Sequence, residues 1–158
     1  MNSVRLEKNI SLSNFTTWRI GGPAEWIAQP KNIEELKYVI NWTNKKKIPC
    51  SVIGAGSNLL INDKGIKGLS LCMRNFKGIE IDKNNGIIEV LSGEMLPTLA
   101  RKAAASGLHG FEWAVGIPGT IGGAVVMNAG AQEHCISNYL ESITTLSLTG
   151  EYLSLIHI

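Results

Sequence analysis

The sequence predicts an α+β protein in which short strands outnumber helices. A capped amphipathic segment at residues 32–47 and an alanine-rich segment at 97–106 indicate two helices, while glycine- and asparagine-rich turns separate several short β-runs. The predicted order is strand, helix, two strands, a hairpin, a helix and a final hairpin, which is not a regular βαβ alternation. A length of 158 residues suits one domain, or two small units that share a core.

The N-terminal elements begin with a short strand at Trp26–Ala28, after the Gly21-Gly22-Pro23 turn. A helix is predicted to start after Asn32, because an asparagine N-cap with Glu35 three residues later has the capping-box arrangement. The lysine run at 45–47 complements the carbonyl end of the helix dipole. The apolar face of this helix is carried by Ile33, Leu36, Val39, Ile40 and Thr43.

The remaining elements are bounded by proline and glycine. Ile48-Pro49 ends the helix, and strands are predicted at 50–53 and 68–73. Asn85-Gly86 joins a hairpin of 78–82 and 86–91, Pro97 opens the second helix and Gly107 closes it. A last hairpin covers 140–148 and 151–156. The segment 74–78 suggests a boundary between two units, 1–75 and 76–158.

Composition excludes several classes of function. The formal net charge is +2 and the longest basic run is three lysines, too little for a phosphate-tracking surface, so no nucleic-acid partner is expected. No apolar run is long enough to span a membrane, and no secretory leader is present. The cysteines, at positions 50, 72 and 135, show neither zinc nor disulfide spacing, so no metal site is expected and the compartment is predicted to be reducing.

Glycine is clustered, with 17 residues or about 11% against a usual 7%. Gly54-Ala55-Gly56-Ser57-Asn58 directly follows a predicted strand, where several backbone N–H groups can approach an anion. It is not a Rossmann fingerprint, because Leu59 stands where the third glycine belongs, and no Gly-Lys-Ser/Thr follows as in a P-loop. An ordinary turn with Asn58 in the left-handed conformation is the alternative.

The second cluster has seven glycines between residues 107 and 130. No charged side chain lies between Ala114 and Gln132, so an anion here would be held by backbone N–H groups, Thr120, Asn128 and a helix N-terminus. An apolar groove with few polar groups suits a flat heteroaromatic cofactor with a pyrophosphate. The alternative is a tight loop–helix crossing in which the glycines only let backbones touch.

Three motifs in order, Thr17–Ala24, Ile53–Leu60 and Gly116–Ala131, resemble the UDP-N-acetylenolpyruvoylglucosamine reductase family, FAD enzymes of peptidoglycan precursor synthesis. The resemblance covers nearly the whole chain but only the N-terminal part of the family. It implies the PCMH, or vanillyl-alcohol-oxidase-type, FAD-binding fold, whose two α+β subdomains would be 1–75 and 76–158. The family's C-terminal substrate domain is expected to be absent.

The resemblance also implies which residues bind the cofactor. Residues 54–59 are expected to approach the pyrophosphate, and 116–124 with 128–130 to line the flavin and its diphosphate. Residues 54–60 contain neither His nor Cys, which argues for non-covalent FAD. The implied set is Gly54, Ala55, Gly56, Ser57, Asn58, Leu59, Gly116, Ile117, Pro118, Gly119, Thr120, Gly122, Gly123, Ala124, Asn128, Ala129 and Gly130.

In the family, NADPH is the co-substrate that reduces FAD, and hydride then passes to the enolpyruvyl double bond to give UDP-N-acetylmuramate. A serine proton donor, an arginine of a Tyr-Arg-x-Ser stretch and a glutamate assist. Tyr139 and Tyr152 are each followed by leucine, so no catalytic residue is assigned and these groups are expected beyond Ile158. The implied protein is a cytoplasmic enzyme of a small UDP-sugar enolpyruvyl ether, monomeric when full length, with no membrane partner.

Other functions and some departures from the family stay open. The chain also fits another PCMH-type flavoprotein oxidase, or a non-catalytic nucleotide-binding module. Arg19 is either a cofactor-phosphate contact or a surface charge. Many relatives carry Tyr-Gly-Gly or similar residues where this chain has Gln132-Glu133-His134-Cys135. A Glu133 carboxylate near a flavin diphosphate would be unfavourable unless it faces solvent, and its role stays open. The chain stops inside a strand-like pattern, which predicts a fragment, and whether its last residues are native stays open.

Overall fold

The first half of the chain builds a four-stranded sheet. The computed structural model describes residues 4–156. The sheet has the order β1-β2-β4-β3, with β1 antiparallel to β2 and β4 parallel to both of its neighbours. The strands at 26–28, 50–53 and 68–73 are confirmed, whereas β1 was not predicted. The strands are β1 (Leu6–Ser11), β2 (Pro23–Ala28), β3 (Cys50–Ile53) and β4 (Ile66–Cys72).

The predicted first helix is α1 (Ile33–Lys46), and its N-cap is confirmed. The Asn32 side chain accepts a hydrogen bond from the Glu35 N–H at 2.9 Å. The returning bond of the capping box is shifted by one residue, since Glu35 accepts from the N–H of Lys31 at 2.8 Å. The helix ends at Lys47, whose φ of 54° is left-handed.

The sheet separates two apolar layers. Helix α1 covers one face, where its buried residues pack with Leu69 and Leu71 of β4. Strand residues alternate between faces, so Cys72 belongs to the opposite layer, together with Ile27 and Ile53. The loops that follow β3 and precede β2 pack on this second face through Ile61 and Leu12. The candidate site is therefore built on the face that α1 leaves uncovered.

The second half forms a separate core around two helices. Strands β5 (Ile79–Asp82) and β6 (Ile87–Val90) make the predicted hairpin, and Gly86 supplies a φ of +70° at its turn. Helix α2 (Leu96–Ala105) ends before Gly107, which has a φ of +80° as predicted. The core joins Leu96, Leu99, Trp113, Ile121 and Ile136.

A third helix, α3 (Ile121–Val126), was not predicted as an element. Two glycines and three β-branched residues in six positions give a low intrinsic helix propensity. The helix forms because tertiary bonds hold its first turn: the Ile121 N–H donates to the Glu94 carbonyl at 2.8 Å. The Thr120 side chain caps the same turn by accepting from the Gly123 N–H at 3.4 Å.

Two small antiparallel pairs complete the described chain. Strands β7 (Gly130–Ala131) and β8 (His134–Cys135) form a minimal hairpin, and β9 (Ser142–Leu146) with β10 (Tyr152–Ile156) forms the predicted last hairpin. This last hairpin contacts the first half: Leu146 packs on the α1 layer, and the Asn44 side-chain amide donates to the Leu148 carbonyl. The division into units 1–75 and 76–158 stays a prediction. Among residues 4–156, no helix has the length and apolarity to cross a membrane.

Candidate cofactor-binding site

The loop at residues 54–59, here called the cradle loop, begins where β3 ends. Two of its carbonyl groups are held from one side by Arg74, which lies two residues beyond the end of β4. The Arg74 guanidinium donates from Nε to the Gly54 carbonyl at 3.2 Å and from Nη2 to the Ala55 carbonyl, and its Nη1 donates to the Asn14 carbonyl at 3.2 Å. The Gly56 carbonyl accepts from the Thr17 N–H at 3.1 Å.

The N–H groups of the same loop are left available. Within residues 4–156, none of the backbone N–H groups of residues 55–59 donates a hydrogen bond to another protein backbone group. The segment contains no acidic side chain. The carbonyls of residues 54–56 are occupied, and a turn that leaves successive N–H groups without protein partners can form an anion-binding concavity. The diphosphate of a dinucleotide has the charge and the acceptors to fill it.

Glycine is required at two cradle positions for packing. Gly56 has a φ of +71°, and a Cβ there would lie 1.9 Å from the Phe15 carbonyl oxygen. A Cβ on Gly54 would lie 2.4 Å from Thr120 Oγ1. The backbone of residues 15–17 and the second glycine segment therefore press against this loop. The left-handed residue of the turn is Gly56; the alternative with Asn58 left-handed is wrong.

The structure brings the two glycine segments together. Ser57 Oγ donates to the Pro118 carbonyl at 3.1 Å, across 61 positions of sequence. Gly119, with a φ of +144°, lies beside the same Ser57 side chain, and Thr120 packs on Gly54. The two glycine segments are therefore in direct contact through residues 54 and 57 of the first and 118–120 of the second.

The expected helix N-terminus is not available for an anion. The N–H groups of Ile121 and Gly122, in the first turn of α3, donate to the carbonyls of Glu94 and Ser92 at 2.8 and 2.9 Å. A Cβ on Gly122 would meet the Ser92 side chain at 2.9 Å, so this glycine serves backbone contact. These two N–H groups are therefore already used within the protein, and the parts of Gly122 and Gly123 in cofactor binding stay predictions.

Asn128–Gly130 lie at the opposite end of α3 and are engaged in the β7–β8 turn. Asn128 Oδ1 accepts from the Ser137 N–H at 3.0 Å, and the Ala129 carbonyl accepts from the Ile136 N–H at 3.0 Å. Gly130 pairs with Cys135. These contacts are structural, and the part of these three residues in cofactor binding stays a prediction.

Two other glycines of the second segment have no packing reason within the described chain. A Cβ on Gly116 would meet no atom within 4 Å, and one on Gly123 would meet only Thr120 Oγ1 at 3.4 Å. Both residues are exposed. Packing within the protein therefore does not require glycine at these two positions. A bound ligand that approaches the backbone closely would require it.

The β7–β8 turn departs from ideal chemistry. Gln132 and Glu133 both have positive φ, 54° and 66°, which a two-residue hairpin turn requires and which Asn or Gly adopts at lower cost. Glu133 is exposed, which satisfies the condition for a carboxylate near a diphosphate. Cys135 is half-buried and hydrogen-bonded, and the Ser137 hydroxyl lowers its pKa.

Arg19 is exposed with a φ of 55°, so both interpretations of its role, a cofactor-phosphate contact or a surface charge, stay open.

Sequence reasoning missed Arg74, the side chain that organises the cradle loop. One signal was available: β3 and β4 are parallel neighbours, so their carboxyl ends meet at the same sheet edge. A cation within two residues of the end of β4 is therefore expected beside the loop that follows β3. Taken together, the open N–H donors, the close-approach glycines and the absence of acidic groups fit a dinucleotide cofactor such as FAD.

Comparison with known proteins gives the same assignment. The family model described as "FAD binding domain" matches residues 24–155. The chain is 97% identical over 152 residues to the UDP-N-acetylenolpyruvoylglucosamine reductase of Prochlorococcus marinus (strain NATL2A), covering 96% of this chain and 52% of the relative. The chain spans about half the length of the curated relatives it matches.

Solved structures agree with this match. The UDP-N-acetylenolpyruvylglucosamine reductase (MurB) of Thermus caldophilus superposes with a TM-score of 0.78 at 32% identity, over 97% of this chain and 53% of that one. The 6-hydroxy-D-nicotine oxidase of Arthrobacter nicotinovorans shares the fold alone, with a TM-score of 0.70 at 17% identity over 97% and 36%. The family resemblance and the expected PCMH-type fold are confirmed. The chain belongs to the family of FAD-binding domains.

Proposed function

We propose that this chain is the FAD-binding part of a reductase that uses NADPH to convert UDP-N-acetylenolpyruvoylglucosamine into UDP-N-acetylmuramate. The observation that carries the proposal is the cradle loop, whose carbonyls are tied to Arg74 and Thr17 while the N–H groups of residues 55–59 remain open. The likeness to reductases named for this substrate supplies the reaction.

The proposed roles follow from the contacts. The N–H groups of residues 55–59 bind the diphosphate, and Arg74 holds the loop in the receptive conformation from behind. Residues 116–120 form the adjoining wall, where the exposed Gly116 allows close approach. Bound FAD supplies hydride transfer, and it is non-covalent because residues 54–60 offer neither His nor Cys.

The substrate and the cell biology belong to the same proposal. The substrate is a UDP-sugar enolpyruvyl ether, and NADPH is the co-substrate. No residue of this chain is assigned as the proton donor, so the 158-residue chain is expected to bind FAD without turnover. The enzyme works in the cytoplasm, and as a monomer when full length.

Flavin retention tests the first half of this proposal. The purified chain is incubated with FAD, desalted and examined by visible absorption. A flavin band that denaturation releases supports non-covalent binding. A folded chain that retains no flavin and shows no binding by equilibrium dialysis contradicts it.

Two substitutions separate binding from folding. Gly123→Ala adds a methyl group on the exposed side of α3 and raises the free energy of unfolding by about 1 kcal/mol through helix propensity. If the cofactor lies there, this stabilised variant binds FAD several-fold more weakly. The matched control is Ala104→Gly, exposed on α2, which loses about the same stability and keeps its FAD affinity. Unchanged affinity in Gly123→Ala removes residue 123 from the site.

The reaction is tested on a longer chain. Residues 1–152 joined to the second half of the Prochlorococcus relative are assayed for NADPH oxidation. Oxidation that depends on the enolpyruvyl sugar nucleotide supports the reductase. Oxidation that proceeds equally without this substrate favours a flavoprotein oxidase, and no redox activity with bound FAD favours a non-catalytic module.

A further inference from the structure

Trp18 is an exposed aromatic side chain beside the cradle loop, and the packing of the protein does not account for it. The side chain of Trp18 is 72% exposed. The other three tryptophans are packed: Trp113 is 7% exposed, and Trp26 and Trp42 lie edge to face with ring centroids 5.0 Å apart. Exposing an indole ring costs hydrophobic free energy, so one held on the surface calls for a partner.

The segment that carries Trp18 is fixed in place. Thr16 is buried, and its Oγ1 donates to the Ile20 carbonyl at 2.8 Å. The Thr17 N–H donates to the Gly56 carbonyl at 3.1 Å, and a Cβ on Gly56 would lie 2.9 Å from the Thr16 Cα. Trp18 is therefore presented one residue away from the backbone of the cradle loop.

Trp18 lies near two kinds of group, backbone hydrogen-bond donors and exposed apolar side chains. The backbone next to Trp18 bonds the cradle loop, whose N–H groups at residues 55–59 have no protein backbone partner and suit an anion. Near them are further exposed apolar side chains: Leu60, directly after the cradle loop, is 81% exposed, and Ile20 is also exposed. A row of donors bordered by an aromatic ring matches a ligand in which a diphosphate is linked to a flat heteroaromatic ring.

We propose that Trp18 stacks on a ring of the dinucleotide whose diphosphate lies in the cradle loop. This inference rests on the proposed function, because the ligand is FAD. Either end of FAD offers the same chemistry, a planar nitrogen heterocycle: the adenine or the isoalloxazine. Trp18 is thereby a binding residue for the ring next to the cradle loop, in addition to the glycine segments.

The test is FAD affinity, measured by equilibrium dialysis on the 158-residue chain. Trp18→Ala is expected to weaken binding about fivefold or more, the range of ring stacking on an aromatic side chain. Trp18→Phe is expected to retain most of the affinity, because a phenyl ring still stacks. The control is Tyr38→Ala, which removes an aromatic side chain 50% exposed on α1; its affinity is expected to equal that of the unaltered chain.

Spectra identify the ring. If the isoalloxazine stacks on Trp18, the flavin absorption band has a long-wavelength shoulder that Trp18→Phe abolishes. If the adenine stacks on Trp18, the flavin band is unchanged. In that case ADP displaces FAD less effectively from Trp18→Ala than from the unaltered chain. A Trp18→Ala chain that binds FAD within twofold of the unaltered chain overturns this inference and leaves the proposed function intact. An unaltered chain that is folded and binds no FAD overturns both.

Discussion

Removing Arg74 is the strongest perturbation of the site that leaves every cradle residue in place. Arg74→Ala deletes three hydrogen bonds, to the carbonyls of Gly54, Ala55 and Asn14, and a contact of the guanidinium with the Phe15 ring at 5.5 Å. At about 0.5–1.5 kcal/mol for each hydrogen bond, the loss is about 2–4 kcal/mol. For a chain of this size, the expected fall in Tm is about 5–15 °C.

FAD affinity is expected to fall as well, by about tenfold or more, because a released loop must be ordered when the ligand binds. The assays are thermal unfolding followed by circular dichroism and equilibrium dialysis with FAD. Arg74→Lys keeps the charge but loses the fork that reaches three carbonyls, so it is expected to rescue little. The control is Arg101→Ala, whose side chain is exposed and bonds only within its own helix at 3.5 Å. If Arg74→Ala keeps its Tm and binds FAD within twofold of the unaltered chain, the guanidinium does not organise the loop.

Three further outcomes are expected. Glu133→Gly removes the steric cost of a positive φ in the β7–β8 turn and is expected to raise Tm by about 1–4 °C. The control Asn84→Gly, in another exposed turn, is expected to lower Tm. Equal changes in Tm for the two variants would contradict this account. Cys135 is expected to react with iodoacetamide faster and at lower pH than Cys72, because hydrogen bonding lowers the pKa of Cys135 while burial raises that of Cys72. Peptide mass spectrometry of the labelled chain measures which cysteine is labelled first. Faster labelling of Cys72 would refute this prediction. The buried hydroxyl of Ser70 has no hydrogen-bond partner in the described chain. Ser70→Ala is therefore expected to leave the free energy of unfolding unchanged or to raise it by up to about 1 kcal/mol. A loss of more than about 1 kcal/mol in urea unfolding would show that the hydroxyl does form a hydrogen bond.

The elements predicted well are those whose signals are local. Asn32 and Glu35 define the start of α1 within four residues of chain, and Pro49 defines the start of the next strand. Gly86 and Gly107 occupy left-handed positions as predicted. Each of these features depends on the backbone preference of a residue and its nearest neighbours, which the sequence displays directly.

The elements missed depend on distant partners. Strand β1 has only two apolar residues in six and forms because it pairs with β2. Helix α3 has poor propensity and forms because residues 92–94 accept its first N–H groups. The same contacts occupy the N–H groups of Ile121 and Gly122, which the sequence leaves as candidates for an anion. The bond from the Ser137 N–H to the Asn128 side chain likewise depends on tertiary structure, and the part of Asn128 in cofactor binding stays a prediction.

The sequence by itself determined the α+β class, the capped helix, most strand positions and the two glycine segments, because turn chemistry and hydrophobic periodicity are short-range. Tertiary structure alone decided that these segments meet, through Ser57 and Pro118, and that Arg74 holds the carbonyls of the cradle loop. It also decided which N–H groups remain open. Hydrogen-bond donors are identical in every residue except proline, so only the folded arrangement distinguishes those that are used from those that can receive a ligand.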